Sequence, residues 1–181
     1  MFRKDIGDGF SVREVSASEM RVCLAENFES IFSNRLEVAA VESHGGQGLE
    51  RLSARRQSEQ RFSLRLGVFL LDRMVGWHFG HATDAETYYM QNSAVLPEFR
   101  GKGLYHKLLL CVLEKVKDEQ FQVVSSMHHP NNPGVLIPKL KAGFVITGTH
   151  FHERFRSLVE LRYIFDLERR KNFNRSLGLD I

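Results

Sequence analysis

Apolar and polar residues follow two different periods in the first part of the chain. Residues 11–15 alternate between the two types, which predicts a short strand. Residues 16–32 carry apolar side chains three or four positions apart, which predicts a helix. Ser16 and Glu19, three residues apart at the start of that helix, have the form of a capping box.

The middle of the chain predicts three consecutive strands. Apolar side chains alternate from Arg61 to Leu70 and again, after a turn at residues 72–73, as far as Phe79. A second turn leads into a third strand that ends at Pro97, because proline cannot donate to a strand ladder. Short turns between consecutive strands indicate an antiparallel meander.

Helices and strands alternate in the second half. Apolar spacing predicts a helix over 104–116, and the unbroken apolar run at 121–127 predicts a buried strand. A short helix should end with Gly143 just past its last turn, and two final strands should cover 145–151 and 158–165.

These elements predict one α/β (α+β) domain over residues 1–181, with a core over 11–165 and a polar tail over 166–181. We expect a mixed, mostly antiparallel sheet of about seven strands with helices on both faces. The strand–helix–strand unit in the middle should make one neighbouring pair parallel, through a right-handed crossover.

Residues 33–60 have no clear period. Gly45, Gly46 and Gly48 indicate a flexible connection with a short helix on each side, since no strand precedes them as in a phosphate loop. Five arginines form a loose cluster here and just beyond, which we interpret as a solvated face; they are Arg51, Arg55, Arg56, Arg61 and Arg65.

Composition limits the possible classes of protein. With 43% hydrophobic and 26% charged residues, the 181-residue chain is typical of a globular domain. No apolar run is long enough to cross a bilayer, and no apolar segment follows the charged first residues as in a secretory signal. Cys23 and Cys111 are far apart, which fits reduced thiols in a cytoplasmic protein. The net charge of +3 without a dense basic stripe argues against nucleic-acid binding.

The segment LPEFRGKGLYHKLLL, residues 96–110, has the features of a phosphate site. Free backbone N–H groups and the helix dipole favour an anion at a helix start, and Gly101 and Gly103 would let the backbone approach it. Arg100 and Lys102 add positive charge. A Walker loop is absent, and His106 stands where a dinucleotide fingerprint needs its third glycine.

The segment AVLPEFRGKGL, residues 94–104, resembles the acetyl-CoA loop of the GNAT superfamily of N-acetyltransferases. Arg100 and Gly103 match the first and fourth positions of that family's [Q/R]-x-x-G-x-[G/A] pattern, while Tyr105 stands where a small residue is usual. The predicted strand order over about residues 11–165 is also that of the family.

A second segment, NPGVLIPKLKAGF at residues 132–144, is similar to the family's N-x-x-A-x-x-x-Y-x-x-x-G-F motif. The asparagine, glycine and phenylalanine are present, but Val135 replaces the alanine and Lys139 replaces the tyrosine. Pro138 disturbs the helix that would direct residue 139.

The resemblance implies acetyl-CoA as co-substrate, with no metal. The backbone of the loop would hold the diphosphate of CoA through Arg100, Gly101, Lys102, Gly103, Leu104 and Tyr105. Ala94 and Val95, where two strands splay apart in the family, would pair with the pantetheine arm. Asn132 would reach the arm or the phosphates; its alternative role is to cap its own helix.

The residues that move protons are less clear from the sequence. Lys139 occupies the position of the family's proton-donating tyrosine, and Tyr105 or His106 could replace that tyrosine, although packing is the simpler role. Tyr89 and Gln91 occupy positions where the family often has a base, and either could order a water. Strand alternation places Tyr89, Gln91 and Ser93 on one face. Other nearby candidates are Glu86, His78 and His81.

The resemblance therefore implies an N-acyltransferase that moves an acetyl group to a primary amine by direct attack in a ternary complex. The acceptor would be a small molecule or a peptide, and the protein a monomer or homodimer. Two alternatives remain: a non-catalytic acyl-CoA-binding module, and an interaction protein that uses its basic surface. The histidines at 128, 129, 150 and 152 lack a carboxylate or cysteine at the spacing of a metal site.

Overall fold

The computed structural model describes residues 2–32, 50, 61–153 and 155–179. The short helices predicted around Gly45, Gly46 and Gly48, and the arginines at 51, 55 and 56, lie outside these residues. Within the described part, four α-helices and eight strands form a mixed α/β structure. The predicted fold class is confirmed, with one strand more than expected.

The eight strands form one sheet in the order β1-β2-β3-β4-β5-β6-β8-β7. All neighbouring strands pair antiparallel except β5 and β6, which are parallel as the strand–helix–strand unit predicted. The strands are β1 Arg3–Gly7, β2 Phe10–Glu14, β3 Ser63–Leu70, β4 Arg73–Ala82, β5 Thr87–Val95, β6 Val123–His128, β7 Val145–His152 and β8 Arg156–Ile164.

The helices begin and end where local chemistry allows. They are α1 Ala17–Ile31, α2 Leu104–Asp118, α3 Pro133–Lys141 and α4 Leu167–Ser176. The predicted capping box of α1 is present: Glu19 N donates to Ser16 Oγ at 3.1 Å, and Ser16 N donates to the Glu19 carboxylate at 2.8 Å. Gly143 follows α3 with a φ of 97°, as a C′ glycine should.

Helices cover both faces of the sheet. On one face, the α1 side chains Met20 and Leu24 line a cavity together with Arg65 and Phe79 of the sheet. On the other face, α2 packs against β3, β4, β5 and α3. Lys139 of α3 contacts Met90 there. No helix of the described part is long and apolar enough to cross a membrane.

Strand β1 was not predicted. Its side chains are almost all exposed, so residues 3–7 show no alternation of polar and apolar types. It pairs with β2 through a tight turn in which Gly7, Asp8 and Gly9 all have positive φ. The sheet therefore begins before residue 11, where the sequence placed its start.

Candidate active site

Strands β5 and β6 pair only over three positions and then separate. Their last paired residues are Tyr89 and Ser125. Beyond them β5 continues to Val95 against β4 alone, and β6 continues to His128 against β8 alone. We call the resulting gap the wedge, and we call its closed end, beside Met90 and Ser126, the vertex. The facing strand edges have unpaired backbone groups, which a ligand can use as an added strand would.

The open end of the wedge leads to the glycine-containing loop. After β5, a 3₁₀ turn at Pro97–Phe99 is followed by Arg100 and then by Gly103, the N-cap of α2. The φ angles of Gly101 and Gly103 are 79° and 71°, and no heavy atom lies within 4 Å of where either Cβ would be. In the described part of the chain, no backbone acceptor is bonded to the N–H groups of residues 101–106. The loop thus offers open space and free donors suited to a diphosphate.

Two cations lie along this loop. Arg100 Nε donates to the Val95 carbonyl at 3.2 Å, which fastens the loop to the end of β5. Lys102 Nζ lies 5.9 Å from the ring centroid of Phe10 and 5.7 Å from that of Phe99. Both charges therefore remain close to the N-terminus of α2, where they favour the same anion as the helix dipole.

The side chains that open α2 point into the protein. Leu104 is buried in the core, and Tyr105 packs against it. The Tyr105 hydroxyl is buried without a hydrogen-bond partner among the residues described, and burial raises its pKa. Tyr105 therefore has the packing role that its sequence position suggested as the simpler one.

Asn132 is the N-cap of α3 by position, since Val135 N and Leu136 N donate to its carbonyl. Its side chain makes no capping hydrogen bond and is exposed. The alternative that this side chain stabilises its own helix is therefore not supported.

Lys139 lies at the vertex. Its amine is completely buried and donates to Ser126 Oγ at 2.6 Å, with Met90 Sδ at 3.3 Å. These are the first residues of β6 and β5 beyond the last parallel pair, so one side chain contacts both arms of the wedge. The ring centroid of Phe144 lies 4.8 Å away. No salt bridge to Lys139 is formed within the described ranges, and burial lowers its pKa to about 7.

Two histidines lie close enough to this amine for its charge to affect their pKa values: His78 is fully buried and His128 is half-buried. His78 of β4 lies 2.8 Å from Ser93 Oγ and 2.8 Å from the Tyr88 hydroxyl. His128 ends β6, and its Nε2 has no hydrogen-bond partner in the part described. Burial, and after it the charge of Lys139, lowers the pKa of each histidine to about 3. Both imidazoles are therefore neutral at ordinary pH.

The predicted alternation along β5 is wrong beyond Gln91. The register shifts there: Phe79 is opposite Asn92, while Gly80 is opposite Met90. This β-bulge adds one residue, so Ser93 lies on the face of Tyr88, as their shared contact with His78 confirms. Tyr89 and Ser93 are therefore on opposite faces, and Gln91 occupies the bulge with an exposed side chain.

A cleft of about 440 Å³ opens on the other face, next to the vertex. Its lining includes Ser126, which Lys139 contacts from the opposite side. The polar and charged side chains of the cleft include His81, Asp84, Tyr89, Ser125, Glu160 and Arg162. Tyr89 packs against His81 with ring centroids 5.8 Å apart, and burial followed by the charge of Glu160 raises the pKa of Tyr89.

Glu160 of β8 is the carboxylate that the sequence did not point to. Its side chain is only 15% exposed; Arg162 Nη2 lies 3.0 Å and His150 Nε2 3.5 Å from it. A charged residue in the middle of a strand that also contributes Leu158 and Leu161 to the buried residues is the signal that could have revealed it. The other early candidates lie elsewhere: Glu86 pairs with Arg169 at 3.2 Å, and His78 is buried between Ser93 and Tyr88.

Two of the four histidines that the sequence raised as metal ligands have other neighbours in the structure. Across residues 2–32, 50, 61–153 and 155–179, no three or more histidine, cysteine, aspartate or glutamate side chains form a group that could hold a metal ion. His150 is instead close to Glu160, and the ring of His152 lies 4.9 Å from that of Phe155.

Comparisons with solved structures find the same fold. The chain superimposes on the ribosomal-protein-S5-alanine acetyltransferase of Vibrio fischeri with a TM-score of 0.68 at 11% identity, over 92% of this chain and 98% of that one. The spermidine N-acetyltransferase of Vibrio cholerae, in complex with CoA and spermine, gives 0.64 at 14% identity, over 87% and 96%. A GNAT family acetyltransferase of Elizabethkingia anophelis with acetyl-CoA bound gives 0.57 at 15%, over 88% and 100%.

The sequence profile of a protein family gives the decisive comparison. No curated protein sequence matches the chain. The profile of the acetyltransferase (GNAT) family, however, matches residues 28–136, which is more than half of the chain. This segment includes β3 to β5, the glycine-containing loop, α2 and the start of α3. The chain belongs to the GNAT acetyltransferase family.

Proposed function

We propose that this protein transfers the acetyl group of acetyl-CoA to a primary amine by direct attack in a ternary complex. The observation that carries the proposal is the wedge between β5 and β6, which has a loop suited to a diphosphate at its open end. A cleft with a carboxylate adjoins its vertex on the opposite face. Such an arrangement lets two substrates meet at one point from two sides.

The loop and the strand edge fit the two halves of CoA. Backbone N–H groups of residues 101–105 would hold the diphosphate, next to Arg100, whose own N–H donates to the Pro97 carbonyl at 3.2 Å. The edge of β5 up to Ala94 and Val95 would pair with the pantetheine arm. The part of β5 that is not paired with β6 has six residues, which span about 20 Å at the rise of a strand. An arm that lies along it would bring its thioester end to the vertex. Asn132, whose side chain is exposed and makes no capping hydrogen bond, would contact the arm from the start of α3.

Acetyl transfer needs a neutral amine, a polarised carbonyl and a proton for the departing thiolate. Lys139 would donate that proton; the position of its amine at the vertex and a pKa that burial lowers to about 7 support this role. Glu160 and Tyr89 line the cleft where the acceptor would lie, so Glu160 would take the amine's proton directly or through Tyr89. Gln91, exposed at the bulge, would order a water near the β5 edge.

The acceptor belongs to the class of amines. Among proteins of the same fold, the Vibrio cholerae enzyme is named for spermidine, and the Vibrio fischeri enzyme for an alanine of ribosomal protein S5. Small polyamines and peptide N-termini are therefore the first acceptors to test. A largely buried carboxylate that lines the cleft suits an acceptor that arrives as an ammonium ion.

The alternative is a non-catalytic acyl-CoA-binding module. The lysine at position 139, where the family's motif has a tyrosine, favours it. The two functions differ in turnover: the module would bind acetyl-CoA tightly and release no CoA with any amine.

The experiment combines calorimetry with an assay for free thiol. We expect purified protein to bind acetyl-CoA and to release CoA with at least one member of a panel of polyamines, amino acids and short peptides. Binding without release for every amine would favour the module. If the protein does not bind acetyl-CoA at all, both functions are wrong.

A further inference from the structure

The amine of Lys139 occupies an unusual position for a lysine. It is fully buried, it forms no salt bridge within the described residues, and it contacts Met90 and Ser126 where β5 and β6 separate. Lysines normally keep their charge in water, so a buried and unpaired lysine needs an explanation. Stability alone does not give one, because an apolar side chain would fill the same space at lower cost.

We propose that Lys139 is itself acetylated by acetyl-CoA bound in the wedge whenever the acceptor cleft is empty. The proposal rests on the proposed function, since the acetyl group must arrive at the vertex along β5. A second primary amine then competes with the acceptor for the same carbonyl carbon, and this amine is always present.

The surroundings make the neutral, nucleophilic form of the amine more abundant than it is in an exposed lysine. The titratable groups that sense its charge are His78 on β4 and His128 on β6, both neutral at ordinary pH. Its contacts on β5 and β6 are a thioether and a hydroxyl. Because no anion among the described residues holds a proton on it, burial lowers the pKa of Lys139 to about 7. An ordinary lysine remains mostly protonated up to about pH 10.

The reaction balances without any further reagent. The lone pair of neutral Lys139 Nζ attacks the thioester carbonyl carbon, a C–N bond forms, and the C–S bond breaks. The proton lost by the nitrogen ends on the CoA thiolate. The products are N-acetyl-lysine at position 139 and free CoA. The acetylated side chain no longer carries an ammonium group, so it cannot protonate the thiolate of a later turnover, and its added bulk fills the vertex.

Wild-type protein incubated with acetyl-CoA, without acceptor, tests the proposal by peptide mass mapping. We expect acetylation at Lys139 to approach one group per chain, while the exposed Lys141 on the same helix remains mostly unmodified. Because a pKa of about 7 leaves about a tenth of the amine neutral at about pH 6 and nearly all of it at about pH 8, the rate should rise roughly tenfold between them.

Two controls separate delivery by the wedge from general reactivity. Acetic anhydride, which needs no binding site, should modify Lys141 and leave the buried Lys139 unmodified. In Gly103→Glu, acetyl-CoA should no longer acetylate Lys139, because the loop cannot hold it. Acetylated wild-type protein should have lost turnover with the best acceptor, and saturating acceptor should protect Lys139.

The outcomes distinguish this proposal from the proposed function. Amine turnover with Lys139 unmodified overturns self-acetylation and leaves the transferase intact. Equal acetylation of Lys139 and Lys141, or persistence of Lys139 acetylation in Gly103→Glu, also overturns it. If acetyl-CoA does not bind, both proposals are wrong.

Discussion

Lys139 and Glu160 approach the vertex from opposite faces of the sheet and suit opposite proton transfers. Lys139 reaches it from α3 and has no anionic partner in the described part. Glu160 reaches the cleft from β8 and is held by Arg162. In the proposed reaction, Lys139 would be the proton donor for the departing thiolate and Glu160 the proton acceptor for the attacking amine.

Replacement of Glu160 by Gln tests the acceptor side. We expect kcat to fall about 100-fold or more, as is usual when a general base is removed, with little change in acetyl-CoA affinity. The matched control is Arg162→Gln, which breaks the same ion pair but leaves the carboxylate. Steady-state kinetics and calorimetry measure both variants. An equal loss of kcat in the two would mean that Glu160 acts only through the ion pair.

The sequence identified Lys139 as a candidate, because the spacing of the second motif placed it four residues before Gly143. It could not predict the bulge at Gln91, since an extra residue in a strand leaves no mark in the pattern of apolar side chains. Glu160 was also missed, because it becomes a neighbour of Tyr89 only when β8 joins β6 in the sheet.

At the scale of elements, the conformation of the glycine-containing loop depends on two glycines rather than on side chains. Gly101 and Gly103 both have φ in the left-handed region and open space at the Cβ position. Gly178, after α4, has the same φ as Gly103, 71°, and likewise has open space at the Cβ position. It is therefore a matched position for a control substitution.

We predict that Gly103→Glu abolishes CoA binding, because a carboxylate then stands where the diphosphate would lie. Gly178→Glu should bind CoA like the wild type. Both variants place a glutamate in the left-handed region and should lose a similar free energy of unfolding, about 1 kcal/mol. Calorimetry and urea unfolding check these results. Unchanged affinity in Gly103→Glu would show that the loop does not hold CoA.

The predicted elements with clear apolar periods were confirmed, because the signals that define them lie within each element's own sequence. The meander, α2 and the short α3 each carry their own pattern and their own stop signals. Strand β1 carries neither, because it lies at the edge of the sheet with exposed side chains. Its pairing with β2 is a property of the folded sheet.

At the scale of the whole molecule, the buried lysine links stability to pH. Its pKa falls from 10.5 to about 7 on folding. Between these values the unfolded chain holds a proton that the folded chain lacks, so the free energy of unfolding rises with pH. The contribution of neutral Lys139 to the free energy of unfolding is therefore lost as the pH falls towards 7. His78 and His128, with pKa values near 3 instead of 6.5, add a further loss of stability below about pH 6.5.

We predict that the free energy of unfolding of the wild type rises by roughly 1 kcal/mol per unit between about pH 7.5 and about pH 8.5. Lys139→Met, which keeps the volume of the side chain and removes the titrating group, should flatten that rise. Urea unfolding at several pH values measures it. Parallel curves for the two proteins would contradict the lowered pKa.

The bulge at Gln91 also affects how the strand can be redesigned. Before the bulge the even-numbered residues of β5 lie on the His78 face of the sheet, whereas after it the odd-numbered residues do. The deletion of Gln91 would remove the bulge and restore simple alternation, with Ser93 still beside His78 and on the face opposite Tyr89. A designer who transfers side chains from another strand into β5 must therefore include the extra residue in the alignment. A shift by one position would move each side chain from the Lys139 face of the sheet to the cleft face, or the reverse.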